Sequence, residues 1–66
     1  MKIKIVTYNK GDNTLDVLRA DKTDSPEIFT TGRNISIDSS DEIHIIRETW
    51  FDIPTKTLYV RVCKIG

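Results

Sequence analysis

The chain has little of what several protein classes depend on. It holds one cysteine, Cys63, among 66 residues. No disulfide can form within it, and no multi-cysteine zinc site either. A lone thiol fits a reducing compartment. Alanine occurs once, at Ala20, and proline twice, at Pro26 and Pro54. There is one histidine, His44, and no excess of either charge, with ten basic and ten acidic side chains. That balance supplies no global field for nucleic acid. No apolar run approaches the roughly 20 residues of a membrane helix, and the first residues lack the apolar stretch and cleavage site of a signal peptide. The expectation is a cytoplasmic protein without a membrane partner.

What is abundant favours strands. Ten Ile, four Val and eight Thr make a third of the chain β-branched. Stiff χ1 angles suit a pleated surface and cost something in a helix. With 38% hydrophobic residues the chain can form one small core, so residues 1–66 read as one domain.

Lys2 to Tyr8 alternates, with Ile3, Ile5 and Thr7 on one side. Residues 9–13 carry turn chemistry, because Asn and Gly tolerate positive φ. Thr14 to Ala20 is the return strand. Keeping Ile3 and Ile5 beside Leu15 and Val17 restricts the pairing to an even index sum, for example Ile5 opposite Val17. Residues 21–26 form a polar loop. Glu27–Thr31 and Asn34–Asp38 read as extended pieces, and Ser39-Ser40-Asp41 as a turn.

Residues 39–53 admit two readings. Ser39 followed by Glu42 resembles a capping box, and Ile43, Ile46, Trp50 and Ile53 recur at helical spacing. A strand gives the more coherent result. With a turn on Pro54-Thr55, Trp50 faces Tyr59, Glu48 faces Arg61, Ile46 faces Cys63, Ile45 faces Lys64 and His44 faces Ile65. An aromatic pair and an opposite-charge pair fall into register together. The fold expected is therefore all-β, a small antiparallel barrel or strongly curled sheet of four to five strands. The alternative is α+β with a helix over about 40–52.

The 42–65 hairpin has two faces. Ile43, Ile45, Phe51, Leu58, Val60 and Val62 form the more aliphatic one, assigned to the core. Ile46, Glu48, Trp50, Tyr59 and Arg61 occupy the other, whose composition is that of a protein-recognition surface. Chains this short are common in phages and mobile elements, which fits an inhibitor or adaptor that occupies a partner protein. Charge suggests a second use. Lys2, Lys4 and Lys10 give the first ten residues +3, and residues 11–60 carry −5. Lys2, Lys4, Tyr8, Tyr59 and Arg61 would make a basic-aromatic strip for single-stranded nucleic acid. Terminal lysines also guard edge strands against aggregation. A homodimer through a terminal edge strand is compatible with either use.

Catalytic and metal readings find little support. Glu42 and His44 share a strand face, but only Asp41 or Glu48 could complete a ligand set. A Cys63–His44 nucleophile pair can be drawn across the hairpin without a third residue to orient it. A buried structural thiol is the simpler reading of Cys63. No phosphate-binding glycine loop is present. The expectation is a non-enzymatic protein with no cofactor and no metal.

Overall fold

The computed structural model describes residues 1–37 and 42–65. Five strands run in chain order: β1 (Lys2–Asn9), β2 (Thr14–Lys22), β3 (Asn34–Ile35), β4 (His44–Asp52) and β5 (Thr57–Lys64). They form one mixed sheet in the order β2-β1-β5-β4-β3, curled into a half-barrel. The fold is all-β. Strand β4, not helix, occupies His44–Asp52 of the stretch 40–52. The expected turn at Ser39-Ser40-Asp41, and Asp38, lie outside the described residues.

The centre of the sheet is its one parallel pair. β1 runs beside β5, with Lys4 opposite Tyr59 and Ile5 opposite Val60. The other neighbours are antiparallel. The terminal strands are thus interior, so dimerisation through a terminal edge is closed. The true edges are β2 and β3.

β1 and β2 are joined by a turn in which Asn13 takes φ 58°. Their register holds one surprise. Ile5 lies opposite Arg19, not Val17, and Val6 lies opposite Val17. Leu18 is the extra residue of a β-bulge, which shifts the ladder by one at that point. Strand pairing also carries β2 two residues past Ala20.

β4 and β5 turn through Ile53–Lys56, as Pro54 suggests. Trp50–Tyr59, Thr49–Val60, Phe51–Leu58 and Glu48–Arg61 pair as the hairpin reading requires. Beyond Glu48 a second bulge intervenes at Arg47. Ile46 then faces Val62, Ile45 faces Cys63 and His44 faces Lys64, each one residue away from the regular register.

Two faces result from these registers. The core face gathers Ile5, Ile46, Val60 and Val62, all at most 5% exposed. Phe29, Ile35, Ile37 and Leu58 pack against it, so the connection after β2 covers this side. That connection is not two extended pieces. Pro26–Ile28 forms a 3-10 turn, favoured by Pro at its start, and among its described residues only Asn34–Ile35 pairs as a strand. Gly32 stands at φ +92° and donates its N–H to the Ile46 carbonyl, while the Ile46 N–H donates to Arg33. Few residues other than glycine adopt that backbone without strain.

The aliphatic face expected for β4 is only partly core. Val60 and Val62 are buried and Leu58 half-buried, but Phe51 and Ile43 are 47% and 49% exposed. Ile45 pairs with Cys63 and so lies on the opposite side from Ile46. An inserted residue reverses which side every residue upstream of it occupies.

Candidate functional site: the open sheet face

Opposite the core lies a face to which each of the four longer strands contributes. Cross-strand rows follow from the pairings. One row runs Ala20, Lys4, Tyr59, Trp50; the next runs Val17, Val6, Arg61, Glu48; a third brings Lys22, Lys2 and Thr57 together. Of the residues expected to bind protein, Glu48, Trp50, Tyr59 and Arg61 sit here together. Ile46 does not. It is fully buried in the core, on the other side of the sheet, because the Arg47 bulge reverses its direction.

The aromatic pair is a face-to-face stack. The Trp50 and Tyr59 rings have centroids 5.2 Å apart and planes within 3°. That spacing is close to the separation of adjacent strands, so the rings stand upright on the sheet. Lys4 reaches the same Tyr59 ring from the strand on its other side, its Nζ 5.9 Å from the centroid. Tyr59 therefore stands between an indole stacked on one face and a cation near the other. The outer face of Trp50 remains open, because β3 pairs only with His44 and Ile45 of β4.

Beside the stack, the Arg61 Nε donates to the Glu48 Oε1 at 2.7 Å. The Arg61 side chain is 31% exposed and that of Glu48 55%. Val6 lies between Arg61 and Val17 in its row and is 1% exposed, so the arginine's stem helps roof this apolar position. Thr57, also buried, satisfies its hydroxyl by donating to the Thr55 carbonyl at 3.1 Å.

The basic-aromatic strip is assembled only in part. Lys2 and Lys4 join Tyr59 and Arg61 on this face. Tyr8 lies four residues beyond Lys4, and its hydroxyl donates to the Asn13 side chain in the β1–β2 turn. Lys22 was not singled out from sequence, because the return strand was expected to end at Ala20. Pairing places it directly opposite Lys2. Lys2, Ile3, Lys4, Ala20, Asp21, Lys22 and Thr57 line an open groove at this end of the face, three cations against one carboxylate. Like charges directly opposite each other are destabilising, so an acidic group brought there would relieve the pair.

The catalytic readings are separated by the sheet. Cys63 pairs with Ile45 and His44 with Lys64, which sets the thiol and the imidazole on opposite faces. Cys63 is free and exposed, not a buried structural thiol. Glu42 bonds Lys64 at 2.9 Å and Glu48 bonds Arg61. Among the described residues no three His, Cys, Asp or Glu side chains cluster to hold a metal ion; Asp41 lies outside them. The Lys22 backbone N–H first, and then Arg19, hold Asp21 below the usual carboxylate range.

No protein-family model matches this chain, and neither a curated protein nor a solved structure matches it. The site is accordingly read from its own geometry.

Proposed function

We propose that this chain is a non-enzymatic protein-binding module that docks a partner protein on its open sheet face, acting as an inhibitor or adaptor. The carrying observation is the upright Lys4–Tyr59–Trp50 stack on the face away from the core. Trp, Tyr and Arg grouped at the centre of a surface are the residues that dominate binding energy when a partner covers them. The stack and the Arg61–Glu48 pair hold these side chains in place, which lowers the entropy lost on docking.

The nucleic-acid reading fares less well on the same geometry. Base stacking needs an unoccupied ring face. Within the stack only the outer face of Trp50 is open to it, and Glu48 already compensates the Arg61 charge. Lys2, Lys4 and Lys22 fit an acidic rim on a protein partner instead.

The test is affinity capture from extract of the source cells, followed by direct binding with the purified species retained. Trp50→Ala should abolish capture while leaving the fold intact by circular dichroism. Ile53→Ala, at a residue 76% exposed in the β4–β5 turn, should capture as well as the original chain. Undiminished capture by a Trp50→Ala/Arg61→Ala double variant would remove the proposed face. Quenching of Trp50 emission by single-stranded oligonucleotide, lost on adding salt, would promote nucleic acid in its place.

A further inference from the structure

Strand β2 has an unused edge. It is nine residues long, lies at the margin of the sheet, and every one of its residues is exposed. Leu15, Val17 and Leu18 are 44%, 54% and 43% exposed. Such an edge offers a row of backbone donors and acceptors to another chain. At the other margin β3 is two residues long.

We propose that β2 pairs antiparallel with β2 of a second copy, about a two-fold axis between Val17 and Leu18. The two curled sheets then become one continuous sheet with both open faces on the same side.

The Leu18 bulge and the charges select this register together. Ahead of the bulge, Leu15 and Val17 lie on the open face beside Tyr8 and Val6, and Asp16 on the core side beside Thr7. Past it, Ala20 and Lys22 are on the open face, and Arg19 and Asp21 on the core side. Paired strands must set residues of the same face opposite each other. An axis through any single residue fails this across the bulge. An axis between Val17 and Leu18 meets it: Leu15 lies opposite the partner's Ala20, and Asp16 opposite the partner's Arg19. The backbone alternation reverses at the same bulge, so the outward donors and acceptors stay matched on both sides of it.

Neighbouring registers do worse. Moving the axis to between Leu18 and Arg19 keeps the faces but sets Asp16 against the partner's Asp21, a like-charge pair. Moving it the other way sets Asp16 opposite the partner's Val17, across faces. The chosen register instead forms the Asp16–Arg19 pair twice, by symmetry. Their present contacts are exposed and long: Arg19 to Asp21 at 3.2 Å, and Asn9 to Asp16 at 3.3 Å. Asp16 and Arg19 can keep these contacts while facing a partner. A bulge commonly turns an edge away from foreign strands. A second copy carries the same bulge at the axis, so the two distortions meet each other.

Sedimentation velocity of the full chain under reductant, from about 10 to about 500 µM, reads the equilibrium by mass action. A concentration-dependent dimer is expected. Asp16→Arg or Arg19→Asp alone should raise the dimer Kd about tenfold, and the double exchange should largely restore it. A monomer throughout that range overturns the proposal. So does a dimer indifferent to either single exchange, or one dissociated by Trp50→Ala, which would place the contact on the open face. Should a charge variant fail to fold, hydrogen exchange on the original chain decides. The outward β2 amides must gain protection as concentration rises; unchanged protection refutes the pairing.

Discussion

The two hairpins of this sheet, β1–β2 and β4–β5, are built alike and end in opposite circumstances. Each pairs two strands of eight or nine residues, and each contains one bulge. In β4 the bulge at Arg47 delivers Ile46 to complete burial beside Val62. In β2 the bulge at Leu18 delivers nothing, and Leu15, Val17 and Leu18 stay in contact with solvent. The side chains differ little in apolar character. What differs is position. β4 lies next to the sheet centre under Ile35 and Phe29, whereas β2 has a neighbour on one side only. Burial in a small sheet is set by where a strand sits in the order and what crosses over it, more than by its own pattern.

That contrast can be broken at its strongest point first. Ile46→Ala should cost about 2–5 kcal/mol, enough to unfold much of a domain this small, whereas Val17→Ala should cost under about 0.5 kcal/mol in the monomer. Urea denaturation of both variants measures the gap, and equal losses would refute the assignment of the two faces. A smaller effect separates the stack from the strands that carry it. Trp50→Ala should cost about 1–2 kcal/mol, from the lost ring pair and the area it covers, without changing the far-UV spectrum. Smaller again is the neighbouring ion pair. Glu48→Gln should lower stability by about 0.2–1 kcal/mol at low salt, and the difference should shrink toward zero at molar salt. A salt-independent loss would mean that Glu48 acts by packing.

The smallest effect belongs to β2 and concerns pH. Asp21 has a folded pKa below its unfolded value of 3.8. The sign follows directly: its contribution is present above the unfolded pKa and is lost as pH falls through the folded one. Asp21 is exposed, so the slope should be shallow. An NMR titration should place its midpoint below the usual carboxylate range. Asp21→Asn should flatten the acid limb slightly, and an unaltered limb would remove the Lys22 and Arg19 contacts from the account.

The sequence was legible where interactions are local or reinforce one another. Pro54 sets the β4–β5 turn, and from it the Trp50–Tyr59 and Glu48–Arg61 pairs follow by counting. Counting fails at Arg47, because a bulge has no residue signature and one extra residue reverses everything upstream. Ile46 was thereby assigned to the recognition face and belongs to the core. Ile5 was set opposite Val17 for another reason: Leu15 and Val17 were expected on the side of Ile3 and Ile5, and the pairs next to the turn put them beside Tyr8 and Val6. The β1–β5 pairing is a separate kind of omission. It joins residues more than fifty positions apart, and nothing in Lys2–Asn9 distinguishes a centre strand from an edge one. The site was therefore half visible: its aromatic and ionic half comes from one hairpin, and its lysines arrive only through long-range pairing.

That long-range pairing also governs the order in which the domain can assemble. β1 leaves the ribosome first of the five strands, and its inner neighbour β5 leaves last. Until then Ile3, Ile5 and Val6 belong to an isolated two-stranded hairpin, a unit that is marginal at best in water. Closing the sheet means bringing together the far ends of the chain, a high-contact-order step that slows folding relative to local pairing. Protein synthesis would thus expose this hairpin for the whole time that the remaining strands are being translated, and the fold becomes all-or-none at its final strand.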